Sequence, residues 1–342
     1  MTQTQKTKLK YCQRGVKSCV NIAMTLFWDI LKYLRIIFLW ITGMQLFKST
    51  TPPMPTAAFD KEWRITPWGQ KEVILQKLKD YVPGNPDIKS IRVFLHGPVG
   101  AGKSSLINFI NSVFQGRITS IALADSAIAA ESFTIKYQTH KIEKGKHGIY
   151  YPIVFNDVMG LEESSGKGVH KDDIINALKG HVKEGHKFNP MSPLSEEDPG
   201  YIKIPSSEDR VHCLVSVMPA DKMAFLGKHV IQKMRDIRLA AADMGIPQMV
   251  VLTRVDEACP SVRKDVKNIY LSKYIKEKME QCSAKLGVPV NCILPVKNYH
   301  EEIDLNEDMD VLLLRVMRHR VDFADDFIRK PPQDIQLCST PL

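Results

Sequence analysis

A glycine-rich run ahead of a lysine and two serines holds the residues best suited to chemistry. Glycines let backbone N–H groups approach phosphate oxygens without a Cβ in the way, and a helix that follows directs its positive end at the same anion. Lys103 can reach the β- and γ-phosphates, and the Ser104 hydroxyl can ligate Mg²⁺. The spacing is that of a P-loop and predicts binding of a nucleoside triphosphate with Mg²⁺. The predicted contacts are Gly97, Pro98, Val99, Gly100, Ala101, Gly102, Lys103, Ser104 and Ser105.

The elements around this run are those that a P-loop needs. The apolar, β-branched residues 91–96 predict a strand before it, and residues 103–115 predict a helix after it. A glycine-rich turn that happens to precede a lysine is the alternative. The strand and the helix on either side of the loop disfavour that alternative.

A second candidate motif is Asp157-Val-Met-Gly160, which ends a predicted strand at residues 149–156. In a nucleotide switch Asp157 would hold Mg²⁺ through water, and the Gly160 N–H would sense the γ-phosphate. The third predicted metal ligand is Thr134, in a predicted strand at residues 131–142. Thr119 competes with Thr134 for that role.

Base recognition is predicted at Thr253-Arg-Val-Asp256, which follows a strand at residues 247–252. One carboxylate at Asp256 can accept from both N1–H and the exocyclic amine of guanine, and adenine offers no such pair. Thr253 stands where this motif usually has Asn, and its hydroxyl can still tie the segment to the P-loop. The alternative makes Asp256 a helix N-cap. Asn298, after a strand at residues 290–295, completes the predicted nucleotide contacts.

The alternation of strands and helices predicts an α/β fold, a doubly wound and mostly parallel sheet forming a P-loop NTPase domain over residues 59–330. An irregular stretch is expected to extend to residue 210, and a lead-in helix at residues 70–81 is expected to dock by its neighbouring aromatics. The remaining predicted elements are helices at residues 171–182, 222–244, 261–286 and 308–326 and a strand at residues 211–218.

The charge is concentrated at the N-terminus. The chain carries +9, and residues 1–50 carry eight Lys or Arg against Asp29 alone, which is 8 − 1 = +7. The rest is therefore close to neutral, which argues for a basic arm and against a nucleic-acid-binding body. Residues 51–58 are a proline-containing linker, and residues 331–342 are a polar, loose tail.

Residues 21–47 are apolar except for a narrow polar stripe that predicts an amphipathic helix. Together with the basic flank, this favours a helix lying on an anionic membrane surface or binding a partner. Packing on the chain's own domain and spanning the membrane are the alternatives. The charges within the apolar region disfavour spanning, and a signal peptide is disfavoured too. Seven cysteines without metal-ligand spacing fit a reduced, cytoplasmic compartment.

Several uncommon motifs in order resemble the interferon-induced protein 44 family of GTP-binding proteins over about residues 58–330. This resemblance implies a cytoplasmic, interferon-inducible protein of innate antiviral immunity with a GTPase-like domain. Relatives often carry a further domain ahead of the P-loop, and here the basic arm takes that place. The matching runs are Arg92-Val-Phe-Leu-His-Gly-Pro-Val-Gly-Ala-Gly-Lys-Ser-Ser105, Asp157-Val-Met-Gly-Leu161, Asp172-Asp-Ile, Asp209-Arg-Val-His-Cys213, Leu252-Thr-Arg-Val-Asp256, Ile293-Leu-Pro-Val-Lys-Asn-Tyr299 and Ala324-Asp-Asp-Phe327.

The leading functional prediction is a guanine-nucleotide-binding protein that is at most a slow GTPase. Leu161 occupies the site where small GTPases carry a water-positioning Gln, and Val99 would crowd the γ-phosphate. No catalytic residue is therefore identified, and faster turnover would need a homo-oligomer that supplies groups in trans. A nucleotide-stabilised scaffold that self-assembles is the alternative, and an ATPase is a third possibility because a P-loop does not distinguish bases.

Overall fold

A computed structural model describes residues 58–122, 136–145, 147–164 and 166–329 of the chain. The predictions for the arm, the tail and Thr134 lie outside these residues, as does most of the linker. No helix within the described segments is long and apolar enough to cross a membrane.

Within the described segments, six strands form one sheet in the order β2-β3-β1-β4-β5-β6. The central strand β1 pairs in parallel with β3 and β4, and β5 and β6 continue the parallel run. Only β2 is antiparallel, at the edge beside β3. The mostly parallel sheet is thus confirmed. The strands are β1 Ile91–His96, β2 Gln138–Glu143, β3 Tyr150–Asp157, β4 Cys213–Pro219, β5 Gln248–Thr253 and β6 Ile293–Pro295.

Helices lie in two groups that pack among themselves. The first group is α1, α2 and α8, and the second contains α3, α4 and α7. Each group buries its apolar stripe against the sheet, as a doubly wound fold requires. The helices are α1 Lys71–Lys79, α2 Lys103–Gln115, α3 Lys171–Lys179, α4 Lys228–Asp243, α5 Val255–Ala258, α6 Pro260–Lys264, α7 Lys273–Leu286 and α8 Glu307–Ile328.

The structure corrects four of the predicted boundaries. The helix expected at residues 222–244 is a 3₁₀ turn, Met223–Phe225, followed by α4. The helix expected at residues 261–286 is broken into α6, a second 3₁₀ turn and α7. The strand expected from residue 290 begins with a 3₁₀ turn and keeps only β6.

Local capping explains these breaks. Gly227 in extended conformation begins α4, and Ser272 begins α7 by accepting from the Ile275 N–H at 3.2 Å. Asp265 accepts from the Lys267 N–H and starts the 3₁₀ turn between α6 and α7. The fourth correction concerns β2, which begins at Gln138, so residues 136 and 137 of the predicted strand are not part of it; residues 131–135 are outside the described segments.

The lead-in segment docks by aliphatic as well as aromatic contacts. The buried face of α1, which includes Ile74 and Leu78, packs against α8. Ahead of the helix, Trp63 meets Tyr270 edge-on at 5.5 Å between ring centroids. The predicted docking by aromatics therefore holds for the residues before α1, while the helix itself uses Ile and Leu.

The irregular stretch predicted up to residue 210 is present between α3 and β4. It contains no helix or strand in the described residues, and an isolated bridge joins Val182 to Tyr201. This bridge therefore connects the beginning of the predicted insert to a later part of it.

Candidate functional site

The predicted site residues converge because their strands run in the same direction. The P-loop follows β1, Asp157 ends β3, Thr253 ends β5 and Asn298 follows β6. The carboxyl ends of parallel strands share one edge of the sheet, which is where open α/β sheets bind ligands. The topology therefore places all four segments at that edge.

Two glycines of the loop are required by close approach. A Cβ at Gly97 would overlap the carbonyl oxygen of Val217 on β4. Gly102 has φ +85°, and a Cβ there would lie 2.9 Å from Asn298 Nδ2. Both positions exclude other residues, so the loop's backbone shape depends on glycine.

Lys103 and Ser104 begin helix α2 beside Asp157. The Lys103 ammonium is buried and donates to the Pro98 carbonyl at 3.3 Å, which places it over the loop. The Ser104 hydroxyl donates to Asp157 Oδ2 at 2.5 Å. Two of the predicted Mg²⁺ ligands thus lie in contact. A hydroxyl and a carboxylate are hard oxygen donors of the kind that Mg²⁺ prefers, so the donor set fits the ion.

The environment of Asp157 favours a cation beside it. Burial raises the pKa of the Asp157 carboxyl, while the Lys103 ammonium and the Ser104 hydroxyl act in the opposite direction. His140 on β2 lies near enough to act on Asp157 as well, and burial lowers the pKa of this histidine. A divalent cation beside the carboxylate would favour its charged form. No sequence motif indicated His140, whose place near Asp157 follows from the antiparallel pairing of β2 with β3.

Asn298 and Thr253 both contact the P-loop backbone. The Thr253 hydroxyl donates to the Ala101 carbonyl at 2.7 Å, so the predicted tie from this residue is present. The Asn298 amide donates to the Gly102 carbonyl at 3.1 Å. In the structure both side chains therefore contact the loop itself. Their role toward a nucleotide stays a prediction.

Asp256 is available for a ligand. It lies within α5, whose N-cap is Arg254, so the alternative of Asp256 as a helix N-cap is wrong. Its carboxylate has no hydrogen-bond partner among the described residues, and only its backbone carbonyl accepts, from Arg263. Arg254, in the left-handed region at φ 57°, is held by carboxylates of Asp221 at 3.0 Å and Glu257 at 2.5 Å.

The segment after Asp157 is bound to the P-loop through its backbone. Leu161 N–H donates to the Gly97 carbonyl at 2.9 Å, and Val99 N–H donates to the Leu161 carbonyl at 3.3 Å. Val99 also covers Gly160, where a Cβ would lie 2.5 Å from Val99 Cγ2. The Leu161 side chain is 1% exposed, so the position of the usual Gln is filled by a buried apolar group.

Glu163 is a contact that sequence reasoning missed. Its carboxylate accepts from the N–H groups of His229 and Val230 at 3.3 Å each, at the start of α4. Lys233 on the same helix donates to the Glu162 carbonyl at 2.8 Å. The residues beyond Gly160 are thus held between the P-loop and α4. No local sequence pattern could have indicated that a carboxylate 66 residues earlier caps the start of α4.

Thr119 is committed elsewhere. Its hydroxyl accepts from the Asn111 amide at 2.7 Å and lies 3.1 Å from the Ser112 hydroxyl, both on α2. Thr119, the residue that competes with Thr134 for the Mg²⁺ role, is therefore already hydrogen-bonded to α2. Thr134 as a Mg²⁺ ligand stays a prediction.

No protein-family model matches the chain. Among solved structures, it is similar to Toc33 from Arabidopsis thaliana in complex with GDP and Mg²⁺, at TM-score 0.41 and 14% identity over 75% of this chain and 91% of that one. It is also similar to a probable GTP-binding protein engB, at TM-score 0.38 and 12% identity over 69% of this chain and 98% of that one.

Curated relatives match at higher identity. The chain is 35% identical over 262 residues to human Interferon-induced protein 44, which covers 77% of this chain and 58% of the relative. It is 32% identical over 259 residues to human Interferon-induced protein 44-like, which covers 76% of this chain and 57% of the relative. The chain thus spans less than two thirds of the length of these relatives. On its identity to these relatives over about three quarters of its length, the chain belongs to the interferon-induced protein 44 family.

Proposed function

We propose that this chain is an interferon-induced, guanine-nucleotide-binding protein of the innate antiviral response that acts in the cytoplasm. One observation carries the nucleotide part of the proposal. The P-loop, the Ser104–Asp157 pair and the unpartnered Asp256 carboxylate follow three strands of one sheet edge. These are the phosphate, metal and base contacts that a guanine nucleotide needs. The names of the relatives support interferon induction.

The chain's own groups would divide the work of binding. Backbone N–H groups of the P-loop and the Lys103 ammonium would hold the phosphates, and Asp256 would accept from the guanine edge. Ser104 and Asp157 would hold Mg²⁺, the latter through water. The metal, when bound, neutralises charge between the β- and γ-phosphates. The hydrogen bond between Ser104 and Asp157 would be replaced by these contacts with the metal.

Hydrolysis by a single molecule is proposed to be slow. The buried Leu161 side chain offers no group to orient water, and Val99 lies directly over Gly160. A group supplied in trans by a second copy can be worth about a thousandfold or more in such sites. Phosphate release per molecule should therefore be low and rise with protein concentration. Fast turnover that is independent of concentration would refute this part of the proposal.

The basic arm of residues 1–50 is proposed to add an anionic-membrane contact. The second candidate function is a scaffold whose nucleotide site is structural and whose output is self-assembly. This candidate is supported by the backbone hydrogen bonds between the P-loop and Leu161, because they already close the loop against that residue. A scaffold of this kind would bind guanine nucleotide without any concentration-dependent turnover.

Titration of the full chain with fluorescent GTP, GDP and ATP analogues in Mg²⁺ tests the proposal. Guanine nucleotides should bind, and ATP should compete far more weakly than GTP. Lys103→Ala should abolish binding because the loop loses the ammonium group that would face the phosphates. The matched control is Lys179→Ala, an exposed lysine in the last turn of α3, which should bind as the wild type does. Equal affinity for ATP, or GTP binding retained by Lys103→Ala, would overturn the proposal.

A further inference from the structure

Two side chains from distant segments hold two consecutive peptide units of the P-loop. Thr253 donates to the Ala101 carbonyl and Asn298 to the next carbonyl, that of Gly102. A Cβ on Gly102 would lie 2.9 Å from Asn298 Nδ2 and 3.9 Å from Thr253 Oγ1. The two donors therefore flank the same glycine, one from the end of β5 and the other from the loop after β6.

A threonine at this position cannot hold the loop alone. Its hydroxyl has a single proton, which the Ala101 carbonyl takes at 2.7 Å while the Met218 carbonyl lies farther away at 3.3 Å. An asparagine amide, usual in this motif, has two N–H donors. Asn298 supplies the donor that Thr253 lacks, from a loop 45 residues farther along the chain.

The position of Asn298 is itself fixed by its neighbours. Tyr299 packs edge-on against Phe109 of α2 at 4.5 Å between centroids and donates to Asp310 Oδ1 of α8 at 2.7 Å. On the other side, Lys297 pairs with Glu302 at 2.6 Å within the same loop. The amide is therefore aimed at Gly102 before any ligand arrives.

The orientation of this amide leaves a polar atom unsatisfied. Asn298 Oδ1 is buried without a hydrogen-bond partner among the described residues, while Nδ2 makes the bond to Gly102. Buried acceptors without partners are uncommon, and such exceptions concentrate where function overrides local satisfaction. The amide thus keeps the hydrogen bond from Nδ2 to the Gly102 carbonyl at the expense of a partner for Oδ1.

Holding the carbonyls determines where the following N–H groups point. In a trans peptide the C=O of one residue and the N–H of the next point in opposite directions. Thr253 therefore turns the Gly102 N–H away from β5. Asn298, together with the Leu106 N–H that donates to the same carbonyl at 2.9 Å, turns the Lys103 N–H away from the β6 loop. Those N–H groups belong to the part of a P-loop that faces the phosphates.

We propose that Asn298 is a positioning residue for nucleotide phosphates, which shares with Thr253 the role of orienting the peptide units on either side of Gly102. This inference rests on the proposed guanine-nucleotide function. It separates Asn298 from Asp256: the amide acts through the loop on the phosphates, whereas the carboxylate acts on the base.

The experiment measures GDP, ADP and inorganic pyrophosphate as competitors of a fluorescent GDP analogue on the full chain in Mg²⁺. Asn298→Ala should weaken GDP and pyrophosphate by the same factor, about three- to tenfold for one hydrogen bond. The GDP-to-ADP preference should stay unchanged. Asn298→Asp is close in size and faces the Gly102 carbonyl with an acceptor, so its loss should be at least as large. Thr253→Val should repeat the pattern, and Thr253→Ser, which keeps the hydroxyl donor, should lose less affinity than Thr253→Val.

The matched control is Asn268→Ala, which removes a hydrogen bond of the same kind, from a side-chain amide to the Ser261 carbonyl at 3.0 Å. It should leave all affinities unchanged. Asn298→Asp that binds pyrophosphate as the wild type does, or an Asn298→Ala loss confined to base preference, would overturn the inference while the proposed function stands. A folded wild-type chain that binds no guanine nucleotide would instead overturn the proposed function, and the inference with it.

Discussion

Arg320, in the middle of α8, is fully buried, and its three side-chain nitrogens meet no hydrogen-bond acceptor among the described residues. The group that most affects its charge is Cys213 at the start of β4. Burial raises the pKa of the Cys213 thiol to about 12, so this thiol is neutral at pH 7 and gives no ion pair. The guanidinium is therefore a charge in the core without compensation.

The expected penalty follows from the pKa. Burial lowers the pKa of Arg320 from its ordinary value to about 10, and a difference of that size corresponds to about 3 kcal/mol against the charged, folded form. Since the folded-state pKa lies below the unfolded value, this penalty is complete at pH below 10. It is relieved only as the pH rises above 10 toward the ordinary pKa of an arginine.

Arg320→Met should therefore stabilise the protein. Methionine keeps much of the length without the charge, among apolar neighbours on the same helix such as Met317 and Val321. We expect a gain of about 2–3 kcal/mol in the free energy of unfolding, in the range seen when buried ionic groups are replaced by apolar ones. For a domain of this size the melting temperature should rise by roughly 5–10 °C.

The assay is urea and thermal unfolding of the full chain, followed by circular dichroism at pH 6, 7 and 9. The gain should be the same at all three values because Arg320 is charged throughout. The matched control is Arg318→Met on the same helix, an exposed residue whose distance to Asp322 is 3.7 Å. This control should change stability by less than about 0.5 kcal/mol. A lower melting temperature for Arg320→Met would show that the guanidinium has a stabilising partner and would refute the reasoning.

Three further results are expected. Asp256→Asn should weaken GTP by about 10- to 100-fold and ATP hardly at all, since an amide cannot accept two guanine donors; equal losses in a competition assay would remove Asp256 from base recognition. Glu163→Ala should speed hydrogen exchange of the first amides of α4 about fivefold, with Glu162→Ala as the control that contributes only a backbone carbonyl; unchanged exchange would mean that the cap contributes nothing. Deleting residues 1–50 should abolish salt-sensitive sedimentation with anionic vesicles and leave GDP affinity intact; loss of GDP binding would place those residues in the domain's core instead.

Local signals predicted the elements wherever glycine and apolar periodicity agreed. Helix α2 has the bounds expected from the sequence because Gly102 and Gly116, both in the left-handed region, begin and end it. The break ahead of α7 was also visible in principle, since Ser272 is a good N-cap. Periodicity alone hid it, because the 3₁₀ turn continues the apolar spacing.

Contacts between distant segments were beyond sequence reasoning. The P-loop, Asp157 and Thr253 were found by their spacing and strand context. By contrast, the Glu163 cap on α4 and the Asn298 bond to Gly102 join residues 66 and 196 positions apart. Neither leaves a local pattern, because each depends on which strands the fold makes neighbours. Such contacts emerge only when the sheet order is known.

The separation of Gly102 and Asn298 along the sequence also matters during synthesis. Asn298, whose amide donates to the Gly102 carbonyl, comes 196 residues after that glycine. At about 5–20 residues per second, a ribosome needs roughly 10–40 s to make that length. During this interval β1 also waits for its partners β3 and β4. Until Asn298 has been synthesised, the proposed phosphate site lacks one of its two side-chain contacts, and the apolar strand β1 has no sheet partner until β3 and β4 have been made.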